Sequence, residues 1–299
     1  MTQSKKKKQN VKKISQKATK KDYKKANCAP SKNIKSYTCY SNNALYKLKE
    51  LWNIRHPDKL IHSINRRNIW EELKNYMQDV CNTELCWLKQ NFIKNNLDAE
   101  LRNYTFAPKY PKSWKKNPYE WLSSVDIEKV MKQYEHAYSN FEFLGPSPID
   151  FDKKKLFGDC VWNELCNFDL KRFIKKNTNK IGIIFNTDPH YKSGSHWIAM
   201  FIDIKKKYIY YFDSNGDECP KEILKLKDRI IDQGHQLNMN FDFYQNHPRE
   251  HQEGDTECGI YTIYFITELL KNNKTHEYFS KNSISDEKIH IYRKVFFNE

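Results

Sequence analysis

Glycine is absent from the first 144 residues of this 299-residue chain, although eight glycines occur from Gly145 onward. Helix interiors disfavour glycine, whereas strands joined by tight turns need it where the backbone adopts positive φ. The two parts of the chain therefore belong to different structural classes. We predict a helical region followed by a domain that combines a sheet with flanking helices, an α+β architecture.

Long apolar runs and metal-binding spacings are also missing. No apolar run reaches the roughly 18 to 20 residues of a membrane span, and no apolar signal-peptide core follows the Lys-rich start. The eight cysteines include no C-x-x-C pair and no Cys/His group with zinc spacing. We therefore expect an intracellular protein, nuclear or cytoplasmic, without metal or cofactor, whose cysteines are free in a reducing compartment. Four of them are interpreted as buried core residues: Cys81, Cys86, Cys160 and Cys166.

Acidic residues are nearly missing from residues 1–40, which hold thirteen Lys and only Asp22. This segment carries +12 of the net charge of +15, so the other 259 residues are almost neutral. It has too few large apolar side chains to offset the entropy of ordering, which predicts a disordered Lys-rich tail over residues 1–40. Solubility is its simplest role. The alternatives are weak contact with nucleic acid, anionic lipid or another polyanion, and a nuclear address.

The remaining chain divides at a proline-rich stretch. Three patterns of apolar residues at helical spacing begin near Asn42, Ile61 and Thr83, and they predict a helical accessory region over residues 41–107. Prolines at 108, 111 and 118 block helix continuation, so residues 108–299 form a second domain. Its predicted elements are a helix opened by a capping box at Ser123, a loop at 145–148, strands at 181–185, 197–204, 208–212 and 239–244, and helices at 222–232, 259–270 and 285–297.

Cys258 stands at the start of the apolar helix predicted over 259–270. Backbone N–H groups and the helix dipole favour a thiolate at that position, and a thiolate is the nucleophile in thiol catalysis. Three nearby acids, Glu253, Asp255 and Glu257, oppose this because negative charge raises a thiol pKa. Taken alone, Cys258 also fits a structural role.

Three polar residues complete a possible catalytic set. His196 begins one predicted strand and Asp213 ends its antiparallel partner, so the hairpin brings them together, and Asp213 would fix the tautomer of the His196 ring. Gln252 lies six residues before Cys258 in a loop and is placed to donate an N–H to an oxyanion. The alternatives to His196 are His190, His247 and His251. Asn215 and Asp217 are alternatives to Asp213, although both are better explained as turn formers.

The order His196-Trp197, Tyr211-Phe212-Asp213-Ser214, Gln252 and Cys258-Gly259 resembles the ubiquitin-like-protein (SUMO) proteases and the related adenovirus-type cysteine proteases of clan CE. Within this group, Tyr211 to Gly216, His276 to Ser280 and the segment from Ile284 to Lys294 are similar to core-protein processing proteases of large nucleocytoplasmic DNA viruses. The resemblance implies a papain-like or adenovirus-protease-like domain and assigns His196, Asp213, Gln252 and Cys258 as catalytic residues. It also implies that Trp197 and Trp121 cover a Gly-Gly-type substrate.

The implied function is a cysteine endopeptidase that cleaves after small residues and processes viral core proteins during virion maturation. The implied partner is a protein substrate with a Gly-Gly-like site, and the implied location is the virion and the infected-cell cytoplasm. Two alternatives stay open. One is an isopeptidase that removes SUMO, ubiquitin or a similar modifier, and the other is a catalytically silent module tethered to nucleic acid by the basic tail.

Overall fold

The structure, a computed structural model, describes residues 23–30 and 37–299, and the rest of the predicted basic tail lies outside these residues. It confirms an α+β architecture, with one five-stranded sheet in the second half of the chain. The strands are β1 (Phe141–Pro148), β2 (Lys180–Asn186), β3 (Trp197–Asp203), β4 (Tyr208–Phe212) and β5 (Asp242–Gln245). The helices are α1 (Asn42–Arg55), α2 (Arg66–Met77), α3 (Glu84–Trp87), α4 (Asn91–Lys94), α5 (Ala99–Asn103), α6 (Ser124–Ala137), α7 (Asn163–Cys166), α8 (Leu170–Lys175), α9 (Lys221–Gln236), α10 (Cys258–Leu270), α11 (His276–Lys281) and α12 (Asp286–Phe296), with a 3-10 turn at Lys112–Lys115.

The N-terminal region is a small helical layer with its own apolar cluster. Ser41 caps α1, one residue before the predicted Asn42, because its hydroxyl accepts the Ala44 N–H. The apolar faces of α1 and α2 pack together around Trp52 and Trp70. No helix in the described part of the chain is long and apolar enough to cross a membrane.

The predicted tail boundary at residue 40 is wrong for the part that the structure describes. Residues 23–30 and 37–40 pack against the helical layer, with Ala26 and Tyr40 buried in its core. The Ala29 N–H donates to the Thr105 carbonyl, and Tyr40 stacks on Trp87 at 5.6 Å. Composition does not predict this packing, because a few small and aromatic side chains are enough to bind a polar segment to an existing apolar surface.

The sheet has the strand order β1-β2-β3-β4-β5. The three central strands pair antiparallel, whereas β1 runs parallel to β2 and β5 runs parallel to β4. The loop predicted at residues 145–148 is wrong, because these residues form the end of β1. Proline is tolerated there since β1 is an edge strand, and the register shift between Leu144 and Ser147 absorbs the irregularity.

Helices cover both faces of the sheet. All thirteen residues of α10 are buried, and this helix packs on one face beside α6 and α12. Helix α9 buries Ile223, Leu226 and Ile230 against the other face. Because β3 and β4 are buried along their whole length, the hairpin that they form is a rigid support for the residues at its ends.

The prediction of free cysteines is wrong for six of the eight. The structure contains the disulfides Cys28–Cys39, Cys81–Cys86 and Cys160–Cys166, whose partners lie only 11, 5 and 6 residues apart. Disulfide connectivity depends on which loops the fold closes, which spacing does not reveal. Cys219 and Cys258 are the two free cysteines.

Candidate active site

The β3–β4 hairpin brings His196 and Asp213 to one edge of the sheet. His196 immediately precedes β3, Asp213 immediately follows β4, and the antiparallel register joins Ala199 to Phe212. The Nε2 atom of His196 lies 2.7 Å from Oδ1 of Asp213. The contact predicted from the hairpin is therefore present, and the other ring nitrogen, Nδ1, is left for a second partner.

Asp213 is held in place by several donors. Its carboxylate accepts the Asn215 N–H at 2.9 Å and the Tyr211 hydroxyl at 3.3 Å. Asn246, which the sequence analysis missed, accepts the Asp213 N–H at 2.9 Å and donates to the Asp213 carbonyl at 2.6 Å. Asn246 follows β5, and the parallel pairing of β4 with β5 brings the ends of both strands to the same edge. The role of Asn246 follows only from the parallel pairing of β4 with β5, which the sequence does not show.

Cys258 is the first residue of α10, and its side chain is buried. The next residue, Gly259, packs closely on Leu122: a Cβ on Gly259 would lie 3.0 Å from the Cβ of Leu122, so a larger residue would require Leu122 to shift. This close packing brings the Trp121-Leu122 segment to the start of α10. The His196 ring is bonded to Asp213, and Cys258 lies near enough to the ring to affect its pKa.

The charge of His196 is set by these neighbours. Burial favours the neutral ring, but hydrogen bonds to Asp213 and Cys258 and the negative charges of both outweigh it and raise the pKa of His196 to about 10. The protonated ring is therefore the stable form at neutral pH, and it pairs with a cysteine at a helix N-terminus. This arrangement suits an imidazolium–thiolate pair.

The raised pKa of His196 predicts the alkaline limit of catalysis. A group whose pKa is raised on folding stabilises the folded state at pH values below its pKa in the unfolded chain. For His196 that unfolded pKa is 6.5, and the stabilisation is lost as the pH rises through the folded pKa of about 10. We expect kcat/KM for a peptide substrate to fall over the same range, because the role that the family resemblance implies for His196, protonating the leaving amine, requires the imidazolium. A pH profile checks this, and an alkaline limb near pH 6.5 would contradict it.

Gln252 is buried in the loop before α10. Its Oε1 accepts the Ser214 hydroxyl at 2.9 Å, and its Nε2 donates one hydrogen to the Gly254 carbonyl at 2.7 Å. Its backbone N–H donates to the Ser214 carbonyl at 2.9 Å. The amide orientation is thus defined by its partners, and the second hydrogen on Nε2 is available to a substrate.

Of the three acids near Cys258, Glu257 is neutralised by a basic partner that the sequence does not reveal. Glu257 is buried, and its carboxylate accepts from Nε of Arg293 at 2.8 and 2.9 Å and contacts Nδ1 of His290 at 3.0 Å. Arg293 also donates to the backbone carbonyls of Glu120 and Thr256. Arg293 could not be predicted as a partner of Glu257 from the sequence, because it lies 36 residues away and an arginine on a helix is usually exposed to solvent.

Arg293 is expected to be essential for the stability of this region. In the variant Arg293→Met, Glu257 would keep a buried charge without its main partner, which costs about 3–5 kcal/mol. The measurement is the free energy of unfolding from urea denaturation. The matched control is Lys288→Met on the exposed side of the same helix, which we expect to change stability by less than about 0.5 kcal/mol. Equal stability of the two variants would contradict the assignment.

The other polar residues considered from the sequence do not reach Cys258. Nδ1 of His190 contacts Asp150 at 2.7 Å, and His247 and His251 bond backbone carbonyls instead. Burial lowers the pKa of His251 to about 4, which makes it neutral at physiological pH. Asp217 is exposed in the turn after β4. Within residues 23–30 and 37–299, no group of three His, Cys, Asp or Glu side chains converges as a metal site requires.

Trp121 and Trp197 line one groove of about 650 Å³. Trp197 is buried, and its indole N–H donates to the Leu122 carbonyl at 3.0 Å. Trp121 is 42% exposed. Because Leu122 also packs on Gly259, this groove opens beside the start of α10. The structure thus brings the two predicted substrate-binding residues to the same surface.

The chain is similar to known viral proteases and matches a protease family. Residues 167–299 match the family described as "Ulp1 protease family, C-terminal catalytic domain". A relative from Acanthamoeba polyphaga mimivirus that is named a thiol protease is 28% identical over 264 residues, which is 88% of this chain and 85% of the relative. A relative from African swine fever virus named a SUMO-1 cysteine protease is 24% identical over 250 residues, 77% of this chain and 89% of the relative.

One solved structure extends the likeness to nearly the whole chain. The crystal structure of the African swine fever virus protease superposes with a TM-score of 0.66 and 20% identity, covering 91% of this chain and 95% of that chain. At this identity the likeness concerns the fold alone. It includes the helical region ahead of the sheet.

Proposed function

We propose that this protein is a cysteine endopeptidase that cleaves after small residues at Gly-Gly-Xaa-type sites, because residues 167–299 match the Ulp1 protease family. The observation that carries the proposal is the bond of 2.7 Å between His196 and Asp213, with Cys258 nearby at the start of α10. In this proposal residues 41–107 are an accessory region and residues 108–299 are the protease domain.

The proposed reaction begins at Cys258. Its thiolate sulfur attacks the carbonyl carbon of the scissile bond, and the negative charge moves to the carbonyl oxygen. The His196 imidazolium then protonates the departing amine, while Asp213 holds the ring through Nε2. The neutral ring next takes a proton from water, which attacks the acyl-enzyme and releases the new carboxyl terminus.

Gln252 and the first backbone N–H groups of α10 are the proposed oxyanion donors. The N–H groups of the first helical turn have no partner within the helix, and the helix dipole favours negative charge there. The Ser214 hydroxyl fixes the Gln252 amide in advance, so little reorganisation is needed when charge develops.

The variant Gln252→Ala is therefore expected to lower kcat by about 10²- to 10³-fold, with a smaller change in KM. The loss arises because one donor that acts only on the developing oxyanion is removed. Steady-state kinetics on a Gly-Gly-Xaa peptide provide the measurement. Gln245→Ala is the matched control, since Gln245 lies at the end of β5 and its side chain bonds only the Cys219 N–H among the described residues. An unchanged kcat in Gln252→Ala would contradict the role.

Substrate selectivity is proposed to come from Trp121 and Trp197. In this proposal two indoles along one groove leave room for glycine or alanine but not for larger side chains, which selects small residues by exclusion. The bond from Trp197 to the Leu122 carbonyl supports this role because it fixes one indole in place.

The proposed substrates are viral structural or core proteins, cut during virion maturation in the infected-cell cytoplasm and within the virion. The support is that relatives come from mimivirus and African swine fever virus. A SUMO or ubiquitin-like isopeptidase is the second candidate, because one relative is named a SUMO-1 cysteine protease. A polyanion contact of the Lys-rich segment 1–22 is an accessory proposal that rests on its charge.

The experiment that separates these candidates offers two substrates under reducing conditions. One is a Gly-Gly-Xaa peptide from a structural protein, and the other is a SUMO conjugate. Cleavage of the peptide supports endopeptidase function, and cleavage of the conjugate alone supports the isopeptidase. Cleavage of neither substrate would overturn the proposal.

A further inference from the structure

A second cavity of about 650 Å³ lies where the N-terminal region meets the end of the protease domain. We call it the interface pocket, and it is separate from the groove beside Trp121 and Trp197. Three wall segments carry its basic residues: residues 24–27, residues 82–89, and the end of α12 with the residues that follow. Residues 110–118, which include Trp114, form a fourth part of the wall. Six lining residues matter here: Lys24, Lys89, Trp114, Arg293, Lys294 and Glu299.

The interface pocket is strongly basic. Lys24, Lys25, Lys89 and Lys294 reach it from the three wall segments, and Glu299 is the only acidic side chain among its described lining residues. Contact with the neighbouring Lys109 ammonium lowers the pKa of Lys89, and burial adds to the effect. Like charges gathered around a cavity repel one another, and a bound anion removes that repulsion.

Trp114 forms part of the wall of the interface pocket. Its ring is more than nine-tenths buried and lines the pocket, and its indole N–H has no acceptor in the described part of the chain. Arg293 lies over the ring at 4.5 Å, and Tyr110 stacks on it nearly parallel at 6.0 Å. A buried donor without a partner is costly, but the indole nitrogen is itself shielded from solvent, so the Trp114 ring contributes to the wall of the pocket and not to its donors.

We propose that the interface pocket binds a phosphate-bearing ligand, held by Lys24, Lys89 and Lys294. Phosphate suits these donors because its oxygens accept from several directions and share more than one charge, and lysine binds it as a point charge. Two sources have this chemistry, a free polyphosphate such as a nucleotide and the backbone of a nucleic acid. The site does not involve Cys258, His196 or the groove.

The test is isothermal titration calorimetry of the full chain at low salt. The phosphate probes are tripolyphosphate, ATP and a ten-nucleotide oligothymidylate, and hexaglutamate is the anion without phosphate. The pocket variant is Lys24→Glu with Lys89→Glu. The control is Lys221→Glu with Lys225→Glu, which makes the same charge change at exposed positions of α9. The unmodified protein and both variants keep the Lys-rich segment 1–22. A difference in affinity between the two variants is therefore due to the pocket.

We expect the pocket variant to weaken phosphate binding by about tenfold or more and the control by less than about twofold. Binding of tripolyphosphate and ATP identifies a free polyphosphate, and binding of the oligonucleotide alone identifies a nucleic-acid backbone. Absence of binding, equal weakening in both variants, or hexaglutamate binding as tightly as tripolyphosphate would overturn the proposal. None of these outcomes bears on peptide cleavage, which is measured separately.

Discussion

Replacing Cys258 with alanine is expected to lower peptide cleavage by about 10⁶-fold, below detection in an ordinary assay. The thiolate is the only group in the proposed reaction that forms a bond to the substrate, so no neighbour replaces it. The fold is expected to survive, because removal of one buried sulfur at the start of α10 leaves the helix and its packing in place. Cleavage of a Gly-Gly-Xaa peptide and circular dichroism of the variant provide the two measurements.

Cys219 provides a matched control for this variant. It is the other free cysteine and is also buried, but burial raises the pKa of its thiol to about 12. A thiol with that pKa is protonated at neutral pH and is a poor nucleophile. We expect Cys219→Ala to retain peptide cleavage within about threefold of the unmodified protein. Residual cleavage in Cys258→Ala, or its loss in Cys219→Ala, would point to a different nucleophile.

The variant Asp213→Asn is expected to lower kcat by about 10⁴-fold. An amide at this position removes the negative charge that stabilises the His196 imidazolium, and an amide that presents N–H to Nε2 favours the wrong ring tautomer. The pKa of His196 should then fall from about 10, so the alkaline limb of the remaining activity moves to lower pH. Steady-state kinetics with a pH profile measure both effects.

The control for Asp213→Asn is the same substitution at Asp217, which is exposed in the following turn. We expect Asp217→Asn to leave kcat and the pH profile unchanged within error. If Asp213→Asn lowered the rate without moving the alkaline limb, Asp213 would act by supporting the loop rather than by holding the charge of His196.

The hairpin that carries His196 and Asp213 was predictable from local pattern. Two β-branched and aromatic runs joined by three lysines can pair in only a few ways, and one of those places the two residues side by side. The start of α10 was predictable for a similar reason, because a long apolar run after a polar loop defines a buried helix. Each of these inferences needs information from fewer than about twenty consecutive residues.

The features that were missed depend on contacts between distant segments. Arg293 reaches Glu257, and Asn246 holds the backbone of Asp213. Residues 23–30 are held in place by packing on the N-terminal helical layer, as the β-bridge between Cys28 and Phe106 shows. Edge position decides that the prolines at 146 and 148 belong to β1, and edge position is a property of the assembled sheet.

The most direct test of the account uses a Gly-Gly peptide with a carboxyl-terminal vinyl sulfone, which reacts with an active-site thiolate. The protein is treated with this probe at neutral pH, digested and mapped by mass spectrometry. We expect one adduct, on Cys258. It should form more slowly in Asp213→Asn than in the unmodified protein and should be absent from Cys258→Ala. An adduct on Cys219, or labelling of Cys258 at the same rate in Asp213→Asn, would contradict a thiolate maintained by His196 and Asp213.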